Sequence, residues 1–242
     1  TKWAASVRTT ERIADMVSMA CREANGPVQG PVLLEIPRDL LDAEVDIRQC
    51  RIPAAGRFRA TNRIVPDAAS IERLADLLMQ AERPVVLFGS RVWDSRSHVE
   101  ARELARTFGI PVYVNGSARG IFRPDDPLLF DRTRALAFSQ ADVVLIAGAP
   151  LDFRLGFGRM LNPAAKVVHI DQNYASIGKN HDIELGLLGH HGAVFSAVTA
   201  AASGRVASGA RSQRQDWCRR LRAAENQALE NQHFFCSLQP MS

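Results

Sequence analysis

The stretch ADVVLIAGAPLDFRLGFG, residues Ala141–Gly158, predicts the fold of the chain. Its apolar run, Val143–Ala147, ends at Gly148, and the loop that follows carries Asp152 and Arg154. A short buried strand, then a glycine turn and polar side chains, is typical of the carboxyl edge of an open parallel sheet, where ligands bind. The same pattern occurs in three other segments: PVVLFGSR (Pro84–Arg91), PVYVNGS (Pro111–Ser117) and KVVHIDQN (Lys166–Asn173).

Helical patterns separate these strands. Asp67 is a typical N-cap for a first helix, and Ser95–Phe108 predicts a helix that ends at Gly109. Two more helices are expected at Arg132–Gln140 and Gly192–Ala202, and a last strand is expected at Leu185–Leu188. Because strands and helices alternate, residues 67–204 predict an α/β fold, a doubly wound, Rossmann-like parallel sheet with right-handed crossovers.

The regions on either side of this alternation are less regular. Residues 1–45 predict a partial α/β segment, with a helix to about Asn25 and a strand in PVLLEIP, Pro31–Pro37. One helix and one strand cannot bury their own apolar faces, so this segment is expected to need more sheet than it contains. Residues 46–66 are polar and predict a linker, whereas residues 205–242 predict a charged helix, about Arg214–Glu230, and a tail.

Composition excludes several classes of protein. The chain is 46% hydrophobic and 23% charged, with a formal net charge of +4, and its arginines lie among acidic residues. This pattern argues against a nucleic-acid surface, and no apolar stretch reaches the roughly 20 residues that span a membrane, so we expect a cytoplasmic protein. The four cysteines are far apart and predict no metal site, while His190-His191 precedes a helix and is typical of a cap or a surface pair.

The candidate ligand-binding residues follow the strands. Glycines allow a backbone to approach a pyrophosphate, Arg91 or Arg154 could neutralise it, and Asp171 could accept a hydrogen bond from a ribose or adenine. Ser117, Gln172 and Asn173 flank these positions. The alternative is that the glycines only form tight turns and that Arg154 pairs with Asp152. The predicted cofactor-binding set is Gly89, Ser90, Arg91, Asn115, Gly116, Gly148, Ala149, Asp152, Arg154 and Asp171.

No catalytic set emerges from the sequence. Ser90 and Ser117 have no evident histidine partner, and no nucleophile elbow is present. Glu35 is an ionisable residue within an apolar strand, so it is either a half-exposed or paired strand residue or a functional carboxylate.

Three segments resemble a known family. GPVLLEIPRDLL resembles the end of the pyrimidine-binding domain of thiamine diphosphate-dependent enzymes, APLDFRLGFG resembles acetolactate synthase-type members, and KVVHIDQN is similar to their fifth-strand motif. The resemblance implies that residues 67–204 form the central domain, a six-stranded parallel sheet that binds FAD, ADP, a CoA nucleotide or nothing. Where FAD-using synthases have a glycine-rich run, this chain has Gly89-Ser90-Arg91.

The resemblance also implies a function. The parent enzyme would use thiamine diphosphate and Mg²⁺ to join or cleave a carbon–carbon bond in a 2-keto acid or acyl-CoA, as a homo-oligomer, dimer or tetramer. The family's activating glutamate and its metal-binding motif have no counterpart in these residues, so the chain is expected to be an inactive fragment. The alternative is a non-catalytic nucleotide-binding or scaffold module. An NAD-consuming deacylase would need a zinc CxxC pair, which the cysteine spacing does not supply.

Overall fold

The structure is a computed structural model that describes residues 1–54, 56–57, 59–205 and 208–238, with side chains described for 212–232 of the last range. The chain divides into two compact units, Thr1–Asn62 and Arg63–Ser242. Residues 239–242 of the predicted tail lie outside the described residues, and so does the side chain of Cys236.

The first unit contains a strand that the sequence analysis missed. β1 (Trp3–Ser6) pairs in parallel with the predicted strand, β2 (Val32–Glu35), with Trp3 opposite Val32. A 3-10 turn and α1 (Ile13–Ala24) connect them, and α2 (Arg38–Asp42) follows β2. β1 has only four residues, two of them alanines, so its sequence has no strand signal. Glu35 is an exposed strand residue.

The second unit contains a five-stranded parallel sheet, as the alternation predicts. Its strands are β3 (Pro84–Phe88), β4 (Val112–Val114), β5 (Val143–Ala147), β6 (Lys166–Asp171) and β7 (Leu185–Leu188), in the order β4-β3-β5-β6-β7. The strand order therefore reverses between β3 and β5, which is the switch point where such sheets bind ligands. In place of the implied sixth strand, the described residues have a single parallel bridge between Val112 and Leu129.

Helices cover both faces of this sheet. α3 (Ala68–Gln80), α5 (His98–Phe108) and α7 (His191–Ala201) pack on one face. α6 (Arg134–Gln140) and α8 (Ser208–Leu238) cover the other, where Phe138, Trp217 and Leu221 are buried. Asp67 caps α3 by accepting a hydrogen bond from the Ser70 N–H, and Gly109 ends α5 at φ +63°, both as predicted.

The segment between β3 and α5 differs from the prediction. A short helix, α4 (Ser90–Asp94), follows β3 directly, and α5 begins at His98, three residues after the predicted start at Ser95. Between the two helices Arg96 has φ +54°, which breaks the helical path. α4 begins at the switch point, directly after Gly89, and carries Arg91.

α8 is longer than predicted and is docked on the sheet. The buried Arg214 guanidinium donates to the carbonyl oxygens of Leu78, Ala81 and Phe108, at the ends of α3 and α5. Further along α8, Glu225 accepts hydrogen bonds from the N–H groups of Asp131, Arg132 and Thr133, before α6. Burial alone would raise the Glu225 pKa, but these bonds lower it. The helix is therefore part of the packed second unit.

Candidate functional site

The switch point is a close contact between two glycines. Gly89 follows β3 and Gly148 follows β5, and a Cβ atom on Gly89 would lie 2.3 Å from the Gly148 carbonyl oxygen. Gly148 has φ +66°, a conformation that glycine adopts without strain. The two strand ends can therefore approach each other this closely because Gly89 has no side chain.

Arg91 crosses the carboxyl end of β5 at this point. Its Nη1 atom donates to both carboxylate oxygens of Asp171, at 2.7 and 2.6 Å, and to Ser176 Oγ at 2.9 Å. Arg91 lies after β3 and Asp171 ends β6, so the pair bridges the two neighbours of β5. The Arg91 side chain is 32% exposed. Within the described part of the chain, its Nε and Nη2 atoms make no hydrogen bond, so both remain available as donors to an anionic oxygen.

Asp171 uses both of its oxygens within the protein. Besides Arg91, its Oδ1 atom accepts a hydrogen bond from the Asn173 N–H at 2.7 Å, and the side chain is completely buried. These contacts orient Arg91. A hydrogen bond from a ribose would have to compete with them, so the predicted direct role of Asp171 in binding a nucleotide gains no support from the geometry.

The loop after β5 contains a second arginine–aspartate pair. Asp152 accepts from the Arg154 N–H and forms an ion pair with its guanidinium at 2.6 Å, which is the alternative considered from the sequence. The side-chain hydrogen bond lowers the pKa of Asp152 and raises that of Arg154. Within the described residues, neither side chain bonds to the Arg91 cluster. Phe153 beside them is 72% exposed.

The end of β4 is tied to α4 through a hydroxyl group. Ser90 Oγ accepts a hydrogen bond from the Ser117 N–H at 3.0 Å, and a Cβ atom on Gly116 would lie 2.2 Å from it. Asn115 is half-buried at the start of this loop, and Ala149 is buried after Gly148. Ser90 therefore joins two of the predicted loops.

His191 is buried, contrary to the sequence-based prediction. The residue begins α7 but is completely buried, with its Nδ1 atom 3.2 Å from Ser95 Oγ and 3.4 Å from Gln172 Nε2. Burial lowers its pKa to about 4, so the ring is neutral at pH 7. A Cβ atom on Gly148 would lie 3.1 Å from its Nε2 atom. His191 thus packs directly behind the switch point, and the prediction of a cap or surface residue is wrong for it. In the sequence, a histidine followed by a glycine after a strand gives no indication that the histidine is buried.

The described part of the chain has neither a cluster of metal-binding side chains nor a helix that could span a membrane. No group of three or more His, Cys, Asp or Glu side chains there is arranged to hold a metal ion. No described helix is both long and apolar enough to cross a membrane.

Comparisons with known proteins identify the family. A sequence model described as the thiamine pyrophosphate enzyme central domain matches residues 71–198. The acetolactate synthase large subunit of Mycobacterium tuberculosis is 30% identical over 233 residues, which cover 95% of this chain and 40% of the relative. The 2-hydroxyacyl-CoA lyase 2 of Bos taurus is 28% identical over 261 residues, 93% of this chain and 40% of the relative.

A solved structure supports the fold. The X-ray structure of an enzyme from Mycobacterium smegmatis that is assigned to the thiamin diphosphate-dependent enzymes matches with a TM-score of 0.63 and 22% identity, covering 83% of this chain and 39% of that one. The chain thus spans about 40% of the length of the curated relatives it matches. Since the family match covers more than half of its residues, the chain belongs to the thiamine pyrophosphate-dependent enzyme family, of which residues 71–198 are a central domain.

Proposed function

We propose that the parent enzyme forms or cleaves a carbon–carbon bond beside a carbonyl group, with thiamine diphosphate and Mg²⁺, in a small 2-keto acid or acyl-CoA. The support is the likeness to acetolactate synthase and to 2-hydroxyacyl-CoA lyase. Thiamine diphosphate supplies the nucleophilic carbon for this chemistry. We assign residues 67–204 to the central domain, residues 1–45 to the end of the pyrimidine-binding domain and residues 46–66 to a linker between them.

The catalytic groups are proposed to lie outside these residues. The chain would then be a fragment without turnover of its own, taken from a cytoplasmic homo-oligomer. The test is to incubate the purified chain with pyruvate, thiamine diphosphate and Mg²⁺ and to measure acetolactate and CO₂. No product is expected, and steady turnover would contradict the fragment assignment.

For the chain itself, we propose that the carboxyl edge binds an adenine nucleotide through its diphosphate. The observation that supports this role is Arg91, which is held at the switch point with Nε and Nη2 free of hydrogen bonds to described residues. An arginine with its plane fixed suits two oxygens of one phosphate. The proposal favours ADP over FAD because this chain has Gly89-Ser90-Arg91 where the resemblance implies a glycine-rich run in FAD-using synthases.

A second role, as a structural spacer, is favoured by the backbone of the same edge. The N–H groups of Gly89, Arg91 and Gly148 donate to the carbonyl oxygens of Ala147, Gly148 and Ile170, so they are already used within the protein. A spacer would bind no nucleotide, whereas the first role requires binding.

Two measurements on the purified chain decide between these roles. Denaturing the protein and recording the absorbance of the supernatant identifies a bound flavin or adenine. Calorimetric titration with ADP measures binding directly, and a micromolar dissociation constant is expected. If no adenine nucleotide gives a binding signal, the spacer role is the one that remains.

A further inference from the structure

A pair of buried acceptors fixes one nitrogen of Arg91. The Asp171 carboxylate and the Ser176 hydroxyl both accept from Nη1, at distances of 2.6 to 2.9 Å. Asp171 is completely buried and Ser176 is 7% exposed, whereas the Arg91 side chain is 32% exposed. Two buried acceptors on one nitrogen restrict rotation of the guanidinium plane, and within the described residues Nε and Nη2 make no hydrogen bond.

We infer that Asp171 and Ser176 are positioning residues that aim Nε and Nη2 of Arg91 at a phosphate of the ligand. The inference rests on the proposed nucleotide site and adds which residues set its geometry. A bidentate contact between a guanidinium and a phosphate requires a fixed plane, and an arginine that rotates freely loses side-chain entropy when it binds. Because the two acceptors already restrict Arg91 in the unbound protein, most of the side-chain entropy is lost before the ligand binds.

Charge and orientation predict opposite effects at Asp171. Its carboxylate lowers the positive potential around Arg91, so if charge alone decided affinity, Asp171→Asn would bind an anion more tightly. If orientation decides, the same substitution weakens binding. Ser176→Ala changes no charge, and it therefore tests orientation alone.

The experiment is calorimetric titration of the full chain with ADP. Loss of a positioning contact leaves the Arg91 contact with the phosphate in place but makes its formation cost more side-chain entropy, so we expect Asp171→Asn to weaken binding about 10-fold and Ser176→Ala about 3-fold. Ser176→Thr keeps the hydroxyl group and should restore most of the affinity. In an Arg91→Ala background, Asp171→Asn should cause no further loss, because its effect passes through Arg91. A purely structural role would not produce this dependence.

Asp126→Asn is the matched control. Asp126 also pairs with an arginine, Arg106, at 3.0 Å, accepts the backbone N–H two residues later, from Leu128, and is only 6% exposed. It lies in the loop after β4, which β3 separates from β5. Its neutralisation should cost similar stability and leave ADP affinity unchanged.

The outcomes separate this inference from the proposed function. Absence of ADP binding by the wild-type chain would contradict both. Binding that is unchanged or tighter in Asp171→Asn and Ser176→Ala would leave the nucleotide site standing and overturn the positioning role. Circular dichroism of each variant shows whether it folds, and if Asp171→Asn does not, the Ser176→Ala and Ser176→Thr pair decides.

Discussion

Two arginine–aspartate pairs at the carboxyl ends of the strands have the same nitrogen–oxygen distance but differ in burial and in the sequence separation of the partners. Arg91–Asp171 and Arg154–Asp152 both have a shortest nitrogen–oxygen distance of 2.6 Å. Asp171 is completely buried and lies 80 residues from its partner, whereas Asp152 is 24% exposed and lies two residues from its partner. The Arg91–Asp171 pair forms only when the sheet is assembled, whereas the Arg154–Asp152 pair forms within a single turn.

The difference shows which arginine the protein holds in place. The local pair forms in any chain that adopts the Asp152 turn, and solvent competes with it, so it contributes little to stability. The long-range pair exists only when β6 lies beside β5 and α4 follows β3. Removing Asp171 from water has a cost, which its contacts with Arg91 and the Asn173 N–H offset. We therefore expect Arg91 to be the rigid cation of this edge and Arg154 the adaptable one.

The largest expected effect comes from adding a methyl group at the close contact between Gly89 and Gly148, next to α4, which carries Arg91. Gly89→Ala would push a methyl group to 2.3 Å from the Gly148 carbonyl, so it should destabilise the second unit by about 3 kcal/mol. Urea unfolding measures the change. Gly109→Ala is the control, because that site is open and only its φ of +63° is unfavourable, which costs about 1 kcal/mol. Equal losses would contradict the close contact.

The second prediction concerns the pH dependence of stability that the buried His191 causes. His191 has a folded pKa of about 4, below its ordinary value of 6.5, because burial disfavours the charged ring. The unfolded chain therefore binds a proton that the folded chain does not as the pH falls from 6.5 to 4, and stability should fall by up to about 3 kcal/mol over that range. Unfolding by urea at several pH values checks this. His191→Gln should flatten the profile between those values, and an unchanged slope would contradict burial of the ring.

A third prediction compares the two pairs directly. Asp171→Ala leaves a buried gap and frees Arg91, and because Arg91 is partly exposed, we expect a loss of about 2 kcal/mol in the free energy of unfolding. Asp152→Ala removes an exposed partner and should cost about 0.5 kcal/mol. Unfolding curves for both variants give the ratio. Similar losses would mean that the distinction between a fold-dependent and a local pair is wrong.

The smallest effect concerns salt. The Arg154–Asp152 pair is exposed, so 1 M NaCl should reduce its small contribution, whereas the buried oxygens of Asp171 are screened much less. A double-mutant cycle for each pair, at low and high salt, measures this. The coupling energy should fall for Arg154–Asp152 and stay nearly constant for Arg91–Asp171, and the reverse order would contradict the burial difference.

The sequence predicts this architecture well where a signal is local. Apolar runs that end in a glycine or in polar residues identify all five strands of the second unit, and Asp67 and Gly109 identify helix ends from residue type alone. The pairing of Arg154 with Asp152 is equally local. β1 was missed because Trp3–Ser6 is short and rich in alanine, and α4 because five residues carry no helical period.

The rest depends on contacts between distant parts of the chain. In the sequence, Asp171 looks like any polar residue at the end of an apolar strand. Only the order of the strands in the sheet brings it to Arg91. The burial of His191, and the docking of α8 through Arg214 and Glu225, likewise depend on which helices share a face. No spacing rule within the chain encodes these contacts, so the sequence predicts which residues follow the strands but not which of them pair with one another.

The most direct test of the account is calorimetry with ADP on the wild-type chain, Arg91→Ala and Arg154→Ala. We predict micromolar binding by the wild type, a loss of affinity of at least about 10-fold for Arg91→Ala, and a clearly smaller loss for Arg154→Ala. The wild type failing to bind, or Arg154→Ala losing as much affinity as Arg91→Ala, would contradict the claim that the fold holds Arg91 ready for an anionic ligand.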